Sequence, residues 1–192
     1  MLIDLIRKNR SYRRFYQEEA VPTEALRSMV EAARLSASSR NIQPLKFVLC
    51  NEPQKNAQIF ATLGWAGYLK DWPGPQEGER PSAYIIQVLD TQISAHASVD
   101  PGIMAQSMLL QATELGFGGC MIGSFQPQPL AQILALAPQY EIALVLALGK
   151  PKETVVIDRL PENGSIQYWR DAQQVHHVPK RDLEDCILQA KP

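Results

Sequence analysis

The feature that most constrains this chain is the run Ile142–Leu148, which reads IALVLAL without a polar residue. A strand sends alternate side chains to opposite faces, so an unbroken apolar run needs cover on both faces. The chain must therefore build a sheet between two other layers, with this segment as a central strand. Helical spacing supplies those layers. Leu2, Ile3, Leu5 and Ile6 recur at i, i+3 and i+4 over residues 2–9, and Leu26, Met29, Val30 and Ala33 repeat the pattern over 23–35, with Thr23 as the expected N-cap. Pro53 opens a helix through Ile59, Phe60 and Leu63, closed near Gly64. Asp100-Pro101 reads as an N-cap followed by Pro at the first helical position, and the helix it starts carries Met104, Met108, Leu109 and Ala112 before Gly116 stops it. Leu130–Leu136 reads as a short helix. Phe47–Cys50, Ala83–Leu89 and Cys120–Ile122 read as further strands. Residues 71–81 hold Pro73, Gly74, Pro75, Gly78 and Pro81, a lid or binding loop by composition. The expected fold class is α+β: an α/β sandwich around a small sheet, one domain over 1–192. Its polar tail, 150–192, lacks the apolar density for a core of its own and is expected to pack on a second subunit.

Charge and cysteine content narrow the functional classes. Nineteen Lys+Arg against 20 Asp+Glu leave a net charge of −1, and 45% of residues are hydrophobic. That composition excludes disorder as the overall state and argues against a general nucleic-acid binder. No apolar run reaches membrane-spanning length, and Met1-Leu2-Ile3-Asp4 lacks the pattern of a signal peptide. Cys50, Cys120 and Cys186 are three and widely spaced, which signals neither a disulfide framework nor a metal site and fits a cytoplasmic protein.

The mean charge hides bunching. Arg7, Lys8, Arg10, Arg13 and Arg14 fall in eight residues without an acid, and His176, His177, Lys180 and Arg181 form a second cluster. Two such clusters in a neutral chain suit one compact anion gripped from two sides, with Ser11 adding a hydroxyl. They equally suit a solvated basic helix end meeting the helix dipole. The stretch Ser36–Pro44 is loop-like, and its Asn41 and Gln43 each donate and accept, which suits a heteroaromatic edge as well as plain turn chemistry. Gly116-Phe117-Gly118-Gly119 follows a helix and opens a strand, the reverse of a dinucleotide fingerprint. Its glycines fit either close approach of a flat ligand or a tight helix-to-strand turn.

Four segments, in order along nearly the whole chain, resemble the FMN-dependent nitroreductase family. Arg10-Ser11-Tyr12-Arg13-Arg14-Phe15 is similar to its Arg-Ser-x-Arg-x-Phe opening, and Ser38-Ser39-Arg40-Asn41-Ile42-Gln43-Pro44 to its Ser-x-x-Asn-x-Gln-Pro loop. Leu115-Gly116-Phe117-Gly118-Gly119-Cys120 is similar to its glycine-rich turn, and Val178-Pro179-Lys180-Arg181-Asp182-Leu183-Glu184 to its C-terminal phosphate clamp. Three positions depart from the pattern: Ala37 stands for a common Pro, Arg40 for a small residue, and Leu45 for an aromatic after Gln-Pro.

The resemblance implies a mainly antiparallel central sheet in an intertwined homodimer, with FMN at the subunit interface. It implies that Arg10, Ser11 and Arg13 hold the FMN phosphate and ribityl chain, and that Lys180 and Arg181 close on the phosphate. Ser38, Ser39, Asn41 and Gln43 would approach the flavin from the partner subunit. Gly119, Cys120 and Met121 would lie along the ring through their backbone. Arg40, Trp65 and Lys70 would shape the substrate cavity. The implied reaction is hydride transfer from NADH or NADPH through flavin to a small aromatic acceptor such as a nitroaromatic or quinone. It needs no catalytic side chain and no metal. Other flavin chemistry on the same fold, such as dehalogenation or dehydrogenation, flavin binding with little turnover, and an RNA or membrane contact by the Arg7–Arg14 run remain as alternatives.

Overall fold

The computed structural model describes residues 1–189, so the last three residues of the 150–192 tail lie outside them. The Ile142–Leu148 run lies within β5 (Tyr140–Pro151), the hub of an antiparallel sheet. One edge of β5 pairs with β3 (Ala83–Asp90), which pairs in turn with β2 (Leu45–Cys50). Its other edge takes β4 (Gly118–Ile122), and the two-residue β1 (Phe15–Tyr16) pairs with the end of β5 at Lys150–Pro151. The expected sandwich is present, and alternation along β3 and β5 shows why the run had to be apolar throughout. Ile85, Leu146 and Leu148 face α2 (Thr23–Arg34) and α4 (Asp100–Glu114), packing with Leu26, Met29, Met104 and Met108. Tyr84, Ile86, Val145 and Ala147 face the opposite layer, where α3 (Pro53–Phe60) and α5 (Pro127–Ile133) contribute Ile59 and Leu130.

Three local expectations are corrected. Thr23 is the first residue of α2 and makes no cap bond; Pro22 precedes it in extended conformation. Asp100 is likewise inside α4, and its carboxylate, 1% exposed, turns away to a distant loop. The short helix begins at Pro127 and ends at Ile133 rather than spanning 130–136, because Pro at its start supplies a preset φ and needs no partner for a missing N–H.

Up to Lys180 the tail builds a small second sheet. Here β6 (Val155–Arg159) runs parallel to β8 (His176–Lys180), which pairs with β7 (Trp169–Arg170). This sheet lies against its own chain through polar contacts: Arg14 Nη2 donates to the Gln174 carbonyl at 3.0 Å, and Tyr168 OH accepts from the Tyr68 amide at 3.3 Å. Beyond it, Arg181 to Gln189 are exposed. The first helix, α1 (Leu2–Lys8), buries no residue.

Candidate active site

The basic run divides when it folds. Arg7 and Lys8 sit in the last turn of α1, where the helix dipole favours them, and Arg10 Nη2 donates to the Ile6 carbonyl at 2.8 Å. Past that point the chain is extended. Ser11 bridges in parallel to Gly119 of β4, and the Tyr12 amide donates to the Gly119 carbonyl at 3.1 Å. These bonds lay the Arg10–Arg13 segment along the glycine-rich strand, so that its side chains open onto a cleft of about 310 Å³. Arg10, Ser11, Arg13, Gln106, Leu109 and Met121 form one wall; Val155, Tyr168, His176, Val178 and Lys180 of the tail form the other. The two sequence clusters thus meet, and among the described residues no carboxylate lines the cleft.

His176 belongs to this wall without adding charge. It is 1% exposed, and burial, reinforced by Arg13 and Arg170, holds its pKa down at about 4. Arg13 Nη1 lies 3.3 Å from its Nε2; since a guanidinium only donates, that nitrogen accepts. Arg13 also lies over the Tyr168 ring, 4.9 Å from its centre. Arg13 therefore meets a neutral acceptor and an aromatic face, and its charge is left for the cleft. His177, next in sequence, is the opposite case. Burial pulls its pKa down, but hydrogen bonds to Asp158 (2.8 Å) and Asp171 (3.4 Å) outweigh this and raise it. Arg181 is exposed and does not line the cleft.

A second cleft, of about 260 Å³, shares Arg13, Met121 and Tyr168 with the first. It runs along β4 from Cys120 to Ser124 and is flanked by Trp65, whose Nε1 is buried without a partner. Met121 is 38% exposed here while Cys120 and Ile122 point into the core. Burial pushes the Cys120 thiol up to about 12, which leaves it no nucleophile at neutral pH. The glycines of this strand have different causes. A Cβ on Gly119 would overlap the Ala147 carbonyl oxygen and the Leu148 and Leu109 side chains, so that glycine is demanded by sheet packing. Gly123 faces open space in the second cleft.

The Ser38–Gln43 loop stands elsewhere. Ser38 Oγ donates to Asp100 Oδ2 at 2.6 Å and accepts from the Gln43 amide at 2.9 Å, while the Ser39 amide donates to Asp100 Oδ1 at 2.8 Å. Asp100 opens α4, whereas Gln106 and Leu109 of the cleft are six and nine residues further, about 9 and 14 Å along the helix axis, and none of residues 38–43 lines the cleft. One chain therefore does not unite Ser38, Ser39, Asn41 and Gln43 with Arg10 and Arg13. Arg40, Asn41 and Gln43 all have φ between 53° and 56°, a left-handed conformation costly for residues with a Cβ and concentrated at functional sites. Arg40 and Lys70 are exposed and line neither cleft, whereas Trp65 does.

Sequence reasoning missed Glu153, Tyr168 and Gln106. Gln106 lies on the helical face that also carries Leu109, so periodicity could have found it. Nothing local marks Glu153 or Tyr168, which reach the site through the tail.

The chain is similar to known proteins in sequence and in fold. Curated relatives include an NADPH-flavin oxidoreductase of Vibrio harveyi, 25% identical over 179 residues, or 83% of this chain and 70% of that protein. An NADH dehydrogenase of Thermus thermophilus is 30% identical over 176 residues, 76% of this chain and 84% of its own length. A solved nitroreductase-family protein from Streptococcus pneumoniae superposes with a TM-score of 0.68 at 19% identity, covering 85% of this chain and 97% of that one, which shows the shared fold. Residues 6–150, which carry the sheet, α4 and the Arg10–Arg13 segment, match the Nitroreductase family, and the chain belongs to that family.

Proposed function

We propose that this chain is an FMN-dependent oxidoreductase that draws hydride from NADH or NADPH and passes electrons to a small aromatic acceptor, such as a nitroaromatic or quinone. The observation that carries the reading is the carboxylate-free cleft walled by Arg10, Arg13 and Lys180, continuous at Met121 with a second cleft along β4. The donors fit a phosphate. Arg10 Nε is buried with no partner, Ser11 adds a hydroxyl, and His176 next to Arg13 is neutral. FMN, when bound, supplies the two-electron chemistry. The chain's own residues bind and orient: Arg10, Arg13 and Lys180 hold the phosphate, with Arg181 available at the exposed rim. The backbone of Gly119, Cys120 and Met121 carries the ring, and Trp65 flanks the acceptor. No side chain transfers a proton.

The reading includes a cytoplasmic homodimer. A second copy of the chain brings its Ser39, Asn41 and Gln43 to the flavin edge, with Arg40 and Lys70 at the mouth, since one chain holds these apart from the cleft. The hydroxyl of Ser38 is engaged within its own loop, so its part is to hold that loop's shape. Among the described residues no helix is long and apolar enough to cross a membrane.

Two measurements test this. The Arg10→Ala/Arg13→Ala double variant is expected to purify without flavin; full flavin content would refute the phosphate assignment. Anaerobic titration of the yellow wild type with NADH and NADPH is expected to bleach it with at least one donor. Persistent colour with both would overturn the oxidoreductase reading.

A further inference from the structure

Behind the phosphate cleft lies a carboxylate that the reading above does not use. The Glu153 side chain is 0% exposed. Its Oε1 accepts from the consecutive backbone amides of Arg13 and Arg14. Its Oε2 accepts from Arg170 Nη2 at 3.1 Å and lies 3.6 Å from Arg14 Nε. Arg170 is held in turn over the Trp72 ring, 4.2 Å from its centre. Two anchors therefore converge on one group: the main chain of the Arg10–Arg14 segment, and β7 of the tail sheet that also carries His176 and Lys180.

We propose that Glu153 is the positioning residue of the phosphate cleft, which locks its two walls together and aims the Arg13 guanidinium into it. The inference rests on the flavin reading. Two guanidinium groups, of Arg14 and Arg170, face this single carboxylate. Arg170 donates to it and Arg14 stands beside it as an ion pair, whereas Arg13 gives it only a backbone N–H and turns its side chain the other way, to His176 and the cleft. The buried anion thus fixes where Arg13 sits and leaves that cation uncompensated for a phosphate. A glutamine of the same size cannot replace it. Its single oxygen can serve the Arg13–Arg14 amides or Arg170, and its NH₂ then faces donors at the other anchor. One wall is released in either case.

The test compares FMN with riboflavin, which has the same ring and no phosphate, by quenching of flavin fluorescence on wild type and Glu153→Gln. Wild type is expected to bind FMN more tightly. In Glu153→Gln the FMN Kd is expected to rise about tenfold or more while the riboflavin Kd stays within about twofold. Parallel loss of both ligands with a lowered melting temperature would reduce Glu153 to a structural role and overturn the proposal, as would unchanged FMN binding. Arg170→Met cuts the tail anchor alone and carries the same test should Glu153→Gln fail to fold; the same split, of smaller size, is expected, and equal losses overturn it. A wild type that binds neither flavin would instead refute the flavin reading itself.

Discussion

Replacing Gly119 and Gly123 separately by alanine should move stability in opposite directions, although both sit on one glycine-rich segment. Neither has a positive φ, so alanine is acceptable to the backbone at both. The difference is steric. At Gly119 the new methyl would overlap the Ala147 carbonyl of the paired strand β5 and stand 2.8 Å from Leu148 Cδ2 and 3.2 Å from Leu109 Cδ2. A backbone carbonyl in a central ladder cannot swing aside, so β4 must move off β5 or the ladder must distort. Overpacking of this kind costs about 1–3 kcal/mol. At about 2–4 °C per kcal/mol for a chain of this size, the melting temperature of Gly119→Ala should fall by roughly 2–12 °C. At Gly123 nothing lies within 4 Å of the new methyl, and the entropy removed from the unfolded chain stabilises by about 0.4–1 kcal/mol. Gly123→Ala should therefore melt at or slightly above wild type, while its methyl stands in the second cleft and weakens whatever ring lies along β4. Calorimetry or circular dichroism melts of the three proteins, paired with flavin titration at low temperature, read both effects. A Gly119→Ala variant that melts with wild type would refute the packing argument, and one that folds fully yet loses flavin would show that the missing side chain there serves the ring rather than the sheet.

Further outcomes follow from particular contacts. Asp100→Ala strands the Ser38 hydroxyl and the Ser39 amide and should cost about 1–3 kcal/mol by urea denaturation. It should also speed tryptic cleavage after the exposed, left-handed Arg40, and unchanged cleavage would count against the carboxylate as the loop's anchor. His176 and His177 should titrate in opposite senses. With a folded pKa of about 4 against an ordinary 6.5, His176 takes up its proton more readily when unfolded, so it removes stability as pH falls from 6.5 towards 4. His177, raised by its hydrogen bonds to Asp158 and Asp171 against the opposing pull of burial, adds stability that is fully present below pH 6.5 and is lost as pH rises through its folded pKa. Imidazole NMR resolves the two directly; a His176 that titrates near 6.5 would show that it is not held as a neutral acceptor of Arg13.

What the sequence by itself determined is the set of features carried by local pattern. The apolar run in β5 demanded a two-sided sandwich, and helical spacing located α1 to α4, because periodicity is a property of consecutive residues. Capping was less legible. Asp100-Pro101 has the composition of an N-cap, yet the Asp100 carboxylate bonds a loop some sixty residues away, which no local rule can see. The basic clusters were visible, but spacing could not separate the cations serving the α1 dipole from those reaching a cleft. Tertiary structure decided that by laying Ser11 against Gly119 and folding β8 beside them. It also took charge away from His176, since a buried imidazole beside two guanidinium groups stays neutral. It gave Glu153 its importance in the same way: one carboxylate among many in the sequence becomes a hub once packing excludes water and brings three arginines around it.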